Sequence, residues 1–241
     1  IRIYCDRRYK LMFTLKDFEV KLVNGEEVKS FIKRHGELAT VCYNTSTKYA
    51  EKVGEKCLES GHLSGSRHLY MVFEIKNVPR SAVDQFVRHT QGFVTNVQSL
   101  RYCNKDGKIS LYAAPEIEKD IYLTQALHNY EAQVQANYNY FQINLKDENY
   151  TNEQANEIAR TVIPIGVATE CNIAVNIECL MHLANVRLCN RAELPIRTIV
   201  KEMVDQVVAV EPRYKPYLVP QCKKLGYCPE NNKKCPRYKE V

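Results

Sequence analysis

Gln85-Phe-Val-Arg88-His89-Thr90-Gln-Gly-Phe-Val-Thr-Asn-Val-Gln-Ser99-Leu-Arg101-Tyr102 is the stretch on which the reading of this chain turns. Its arginines, histidine, serine and tyrosine can all donate hydrogen bonds, and arginine suits bidentate recognition of phosphate or of a pyrimidine carbonyl edge. The surrounding pattern predicts a helix from Arg80 to about Thr90, then a polar loop carrying Ser99 and Arg101. Taken alone, the segment has a plainer reading too: a helix end whose cations offset the dipole.

Working outward, residues 18–23 have strand composition and end in the turn pair Asn24-Gly25. Residues 46–60 read as a helix starting at Ser46. Residues 69–76 are rich in aromatic and branched side chains and predict a strand, broken by Asn77-Val78-Pro79, which opens the next helix. From 116 to 148, Ile117, Ile121, Leu123, Leu127, Tyr130, Val134, Tyr138 and Phe141 recur at roughly helical spacing. A second helix over 151–161 has Thr151 or Asn152 as its cap and Pro164 as its stop. A strand at 171–175 and helices over 176–189 and 193–210 complete the pattern. Strands early and long helices later make the fold class α+β. Without repeats or Pro/Gly-rich linkers, residues 1–241 are expected to form a single domain, with 220–241 as a Cys/Lys-rich tail.

At 45% hydrophobic and 26% charged, the 241-residue chain has the composition of a folded domain, not a disordered one. No apolar run approaches the ~20 residues of a membrane span, so no membrane association is expected and the cytoplasm is the expected compartment. Residue 1 is Ile, which leaves a removed leader open, although none is visible. The formal charge of +6 suits a protein handling phosphorylated small molecules. Nucleic acid is a poorer fit, because the pI of about 8.7 falls short of the strongly basic range. Tyr122, Tyr130, Tyr138 and Tyr140 read as packing or subunit-interface residues, not as a base-stacking platform.

Seven of the ten cysteines (Cys5, Cys42, Cys57, Cys103, Cys171, Cys179 and Cys189) are scattered singly and read as small buried hydrophobes. Cys222, Cys228 and Cys235 cluster in the tail. They are zinc candidates if Cys189, a histidine or a neighbouring subunit supplied a fourth ligand. Their spacing is not the C-x2-C pair usual in zinc sites, and a disulfide or reduced thiols are the alternatives.

The opening stretch resembles the signature of the flavin-dependent thymidylate synthase family: R-H-R, seven residues, then S-x-R-Y, with Q-x-x in front. Four further segments resemble that family in the same order. Residues 34–44, containing Ala39-Thr-Val-Cys42-Tyr43-Asn44, are similar to A-R-x-C-Y-x-S. Gly61-His62-Leu-Ser64-Gly-Ser-Arg67-His68 resembles G-H-x-S-x-x-E-H. Ala159-Arg160-Thr-Val-Ile-Pro164 resembles A-R-x-x-L-P, and residues 176–193 resemble N-A-R-x-L-x-H-F-x-N-L-R-x-C-x-R-A-Q. Gly226-Tyr227-Cys228-Pro229-Glu230 matches an ending common in the family. The resemblance covers residues 35–220 or so.

The resemblance implies an enzyme that makes dTMP from dUMP, taking a methylene from methylenetetrahydrofolate and reducing it with hydride from FAD, which NADPH recharges. It also implies a homotetramer with active sites between subunits, and no catalytic cysteine. Carried over residue by residue, the dUMP positions are Gln85, Arg88, Ser99, Arg101, Arg160 and Arg187. Arg187 falls on the arginine that polarises the pyrimidine, an electrostatic activation. The FAD positions are Ser64, Arg88, His89, Thr90, Asn176 and His182.

The flavin half departs from the family pattern. Thr90 replaces the second Arg of R-H-R, Glu178 replaces the Arg of N-A-R, and Arg67 replaces the Glu of G-H-x-S-x-x-E-H. The loop to Ser99 is one residue longer, and no acidic residue precedes that serine. Turning an arginine into a glutamate near a pyrophosphate replaces attraction by repulsion, each on the order of 4 kcal/mol at ~4 Å and an effective dielectric of ~20. The opposite charge changes at 67 and 178 predict a reversed ion pair between them. Two alternative functions are a relative acting on another pyrimidine nucleotide or one-carbon group, and a catalytically silent nucleotide-binding homologue.

Overall fold

The structure is a computed structural model and describes residues 12–239 except Thr45, Asn104 and Asp106; Cys5 lies outside them. In chain order the elements are β1 (Met12–Phe13), β2 (Glu19–Leu22), α1 (Gly25–Val28), α2 (Phe31–Tyr43), α3 (Ala50–Glu59), β3 (Tyr70–Pro79), α4 (Arg80–Phe86) and β4 (Phe93–Val97). There follow β5 (Leu111–Tyr112), α5 (Pro115–Glu118), α6 (Ile121–Asp147), α7 (Asn152–Ala159), β6 (Ala168–Asn176), α8 (Ile177–Arg187), α9 (Leu194–Val210) and α10 (Gln221–Leu225). Strands and helices mix as α+β predicts. The chain gathers into two compact units. One holds the described residues through Glu19 with Lys76–Asp84 and Val97–Cys171, and the other holds Val20–Ile75, Gln85–Asn96 and the chain from Asn172.

The first unit is built around α6. Asp120 divides the helical pattern over 116–148 into α5 and α6, because its carboxylate accepts from the backbone N–H groups of Tyr122 (2.8 Å) and Leu123 (3.1 Å). Thr151 caps α7 in a reciprocal box with Gln154. The short strand β1 runs parallel to β5, pairing Met12 with Leu111 and Phe13 with Tyr112. Ile109, Leu111, Val134, Tyr138, Ala159 and Val167 form the core of this unit. Glu131 on α6 is buried against it and accepts from Leu111 N at 2.7 Å.

In the second unit α2 packs on α3 with backbones nearly touching. A Cβ on Gly36 would lie 1.6 Å from the carbonyl oxygen of Ala50, and one on Gly54 would lie 1.9 Å from that of Ile32. Helix α2 was not anticipated from sequence. It forms because Phe31, Ile32, His35 and Ala39 share one buried face. A four-stranded sheet in the order β2-β3-β6-β4 contributes the buried Met71, Phe73, Ile75, Ile173 and Val175. Helix α9 packs on α8, with Ile196, Ile199, Met203 and Val207 fully buried.

Three boundaries depart from the sequence reading. Strand β3 runs on through Asn77-Val78 to Pro79, since Val78 is fully buried and a proline at a strand end forfeits little. Helix α4 stops at Phe86, where His89 N turns back to Phe86 O at 2.9 Å. The expected polar loop instead contains β4, whose Phe93, Thr95 and Val97 alternate with exposed Val94 and Asn96. The single cysteines also divide: Cys57, Cys171 and Cys179 are buried, Cys103 and Cys189 partly so, and Cys42 at the end of α2 is exposed.

Candidate active site

A cavity of about 840 Å³ opens in the second unit, where the turn after α4 meets the first turns of α8. Arg67, Arg88, His89, Thr90, Gly92, Asn176, Glu178 and His182 are among the residues that line it. Asn176 organises this meeting. Its side-chain oxygen accepts from Cys179 N at 2.9 Å and so caps α8, while its own N–H donates to Gly92 O at 3.0 Å. Gly92 has φ +67°, and a Cβ there would come within 2.3 Å of the Asn176 amide. Only glycine lets the turn approach the helix cap so closely.

Glu178 and His182 are four residues apart on α8, and both face the cavity. Arg67 reaches Glu178 from the turn before β3 with a two-bond fork, Nε to Oε2 at 2.6 Å and Nη2 to Oε1 at 3.1 Å. The reversed pair predicted from sequence is present. Its hydrogen bonds and charge hold the Glu178 carboxyl below the usual carboxylate range. Arg88, the other fixed cation on the wall, has no ion-pair partner among the described residues.

Behind the wall runs a polar chain. Glu193 accepts from Gln85 Nε2, and Gln85 Oε1 accepts from Arg187 Nη1 at 3.3 Å. Arg187 Nη2 in turn donates to His89 Nε2 at 3.3 Å, and the His89 ring meets the His182 ring edge-on, centroids 5.3 Å apart. Burial, then the Arg187 charge, then His182 push the His89 pKa down to about 4, so its imidazole is neutral near pH 7. Arg187 is itself half-buried, and its Nε is a buried donor with no hydrogen-bond partner among the described residues. A guanidinium in such surroundings gains by meeting an acceptor.

Of the sequence-predicted residues, Arg88, His89, Thr90, Asn176 and His182 line this cavity, and Gln85 and Arg187 bond to His89 or to each other beside it. Ser64 is exposed one turn before Arg67 and is not among the lining residues. Ser99, Arg101 and Arg160 belong to the first unit. There Arg101 pairs with Glu153 (2.7 Å) and Glu157 (2.8 Å) on α7, Ser99 Oγ accepts from Arg101 N at 3.3 Å, and Arg160 is exposed. Gln91, Gly92 and Cys179 line the cavity without having been singled out. Gly92 alone carried a sequence signal, as an isolated glycine just past the expected helix end.

The tail cysteines Cys222, Cys228 and Cys235 share a second cavity, of about 240 Å³, with Cys189. Among the described residues no three His, Cys, Asp or Glu side chains are placed to hold a metal ion. The tail is held by other contacts: Arg191 pairs with Glu230, Arg237 Nη1 donates to Leu188 O at 2.7 Å, and Asn190 Nδ2 donates to Cys235 Sγ at 3.2 Å.

The family model described as Thymidylate synthase complementing protein matches residues 29–213. The flavin-dependent thymidylate synthase of Nitratidesulfovibrio vulgaris is 32% identical over 183 residues, 75% of this chain and 74% of that one. This chain belongs to the flavin-dependent thymidylate synthase family. The Pyrococcus abyssi member is 30% identical over 201 residues, covering 77% of this chain and 78% of its own. The fold agrees with solved structures. One is a UMP/dUMP methylase, PolB, from Streptomyces cacaoi bound with 5-Br UMP, with TM-score 0.61 at 17% identity over 90% of this chain and 98% of that one. Another is Thymidylate Synthase X from Helicobacter pylori with FAD and dUMP, with TM-score 0.53 at 18% identity over 80% and 94%. Within the family frame, the departures Arg67, Thr90 and Glu178 all fall on the wall of one cavity.

Proposed function

We propose that this protein makes dTMP from dUMP, with methylenetetrahydrofolate as the one-carbon donor, FAD as the resident cofactor and NADPH as the reductant. The observation that carries the reading is Arg187: a half-buried guanidinium beside the cavity, oriented by Gln85 and by neutral His89, with its Nε unspent among the described residues. Donating to a pyrimidine carbonyl oxygen, it stabilises the negative charge that develops when C5 becomes nucleophilic. Because His89 is neutral, it accepts from Arg187 without competing for the substrate's charge. Arg88 adds a cation for a phosphate, and the first-turn N–H groups of α8 beside the cavity favour an anion.

The cavity fits a flavin cofactor in donor chemistry. It offers Arg88, which has no carboxylate partner among the described residues, a helix N-terminus, and polar side chains from Asn176 and His182. Its volume of about 840 Å³ lies at the upper end of the ~300–1,000 Å³ of small-molecule sites. Arg88, His89, Thr90, Asn176 and His182 would hold FAD, which supplies hydride when bound. Ser64 belongs to the same FAD set by resemblance. By the same resemblance Gln85, Arg88, Ser99, Arg101, Arg160 and Arg187 are the residues assigned to dUMP, with Arg187 as the catalytic residue.

The same reading treats the chain as one family domain, because the match from 29 to 213 runs through segments of both compact units. It also takes the assembly to be a homotetramer. Helix α6 supports this by exposing Ile121, Tyr122, Tyr130, Tyr140 and Ile143, more apolar surface than one helix usually leaves to water. A cytoplasmic location accords with the absence of any described helix long and apolar enough to cross a membrane. The decisive experiment incubates the protein with FAD, NADPH, methylenetetrahydrofolate and C5-tritiated dUMP. Tritium release with dTMP formation is expected; absence of both, with UMP and dCMP also inert, would overturn the proposal.

A further inference from the structure

We propose that Glu178 is an internal counter-anion of the cavity, holding Arg67 and so setting the affinity for the phosphate-bearing end of the ligand. The inference rests on the reading above in taking that ligand to be FAD. Glu178 and Arg67 both line the cavity, and the fork between them takes up both carboxylate oxygens. The two side chains are 41% and 60% exposed, and ion pairs so exposed stabilise a fold little. Glu178 also stands in the first turn of α8, where the helix dipole already favours a carboxylate. The pair is therefore explained poorly by folding and well by its effect on the cavity's charge.

That effect can be counted. The fixed charges on the wall are Arg67, Arg88 and Glu178, a net charge of +1, with His89 neutral near pH 7. Removing the Glu178 charge leaves two cations facing the ligand and frees the Arg67 fork for phosphate oxygens. Removing the Arg67 charge instead leaves none in balance and turns an unpaired carboxylate toward the ligand. Removing both restores the original net charge.

Equilibrium binding of FAD, riboflavin and inorganic pyrophosphate should be measured for wild type, Glu178→Gln, Arg67→Gln and the double variant. Expected for FAD and pyrophosphate is tighter binding by about five- to tenfold in E178Q, weaker binding by a similar factor in R67Q, and near-wild-type binding in the double. Riboflavin, which has no phosphate, should not follow this order. The differences should shrink as salt rises. Circular dichroism melts check that each variant folds, and the reversed pair R67E/E178R, which keeps the contact, should bind FAD within a few-fold of wild type.

If wild type binds FAD and the order is flat, the counter-anion role falls while the proposed function stands. If wild type binds no flavin but pyrophosphate follows the order, the flavin reading falls and the counter-anion role stands. If neither FAD nor pyrophosphate binds, both fall.

Discussion

Arg187 Nη2 donates to His89 Nε2 at 3.3 Å, which obliges the imidazole to carry its proton on Nδ1 and to remain neutral. This one contact ties the C-terminal end of α8 to the signature turn after α4. It also sets the pH behaviour of the site.

His89 should titrate near pH 4 by NMR, because burial and the Arg187 charge lower its pKa from 6.5 to about 4. Between those two values the unfolded chain binds a proton that the folded protein does not, so this group lowers stability as pH falls through the window. His89→Asn should flatten that part of the stability–pH curve. A His89 titration at its ordinary value would refute the contact.

Arg187→Lys should keep the fold and lose the reaction. Lysine retains the charge but not the planar fork that reaches Gln85, His89 and an acceptor together. A fall in kcat of about 10²–10³-fold, the scale of losing one preorganised donor, is expected, with the melting temperature within a few degrees of wild type. Unchanged kcat would remove Arg187 from the chemistry.

Gly36→Ala should destabilise the protein by more than about 2 kcal/mol in denaturant melts, as overpacking against backbone does. The new methyl would have to displace the Ala50 carbonyl at 1.6 Å, and no side-chain rotamer can relieve a clash with main chain. Wild-type stability would mean that α2 and α3 do not pack as described.

Glu131→Gln should stabilise the protein increasingly as pH rises. Desolvation lifts the buried Glu131 carboxyl from 4.5 to about 7, against the opposing bond from Leu111 N. The folded state therefore holds a proton that the unfolded state has released, and wild type loses stability from about pH 4.5 to pH 7. Glutamine keeps an acceptor for Leu111 N and does not titrate. Equal stabilities of the two proteins at pH 5 and pH 8 would refute the buried-acid assignment.

The parts legible in sequence are those whose signals are local. Thr151, one of the two cap residues expected for the helix over 151–161, acts within a single turn and does cap α7, whereas the split at Asp120 inside the pattern over 116–148 was not read from sequence. The family was legible for a different reason: its motifs recur in order along the chain. Helix α2 was missed because its buried face is short and its neighbour, Gly54, lies eighteen residues beyond Gly36. Strand β4 was missed because the left-handed turn at Gly92 and the pairing with β6 are decided by a partner strand far away in sequence.

By itself, then, the sequence determined the family, the α+β class and the charge changes at Arg67, Thr90 and Glu178. It even predicted that two of those changes would answer each other. Tertiary structure alone decided that Arg67 and Glu178, 111 positions apart, meet as a two-bond fork on a cavity wall. It also decided that Arg101 faces Glu153 and Glu157, and that Arg187 is neighbour to a neutral His89. Local backbone preferences act over a few residues and can be read in order. Contacts between distant residues, and the burial that shifts their charges, exist only once sheet and helices have packed together.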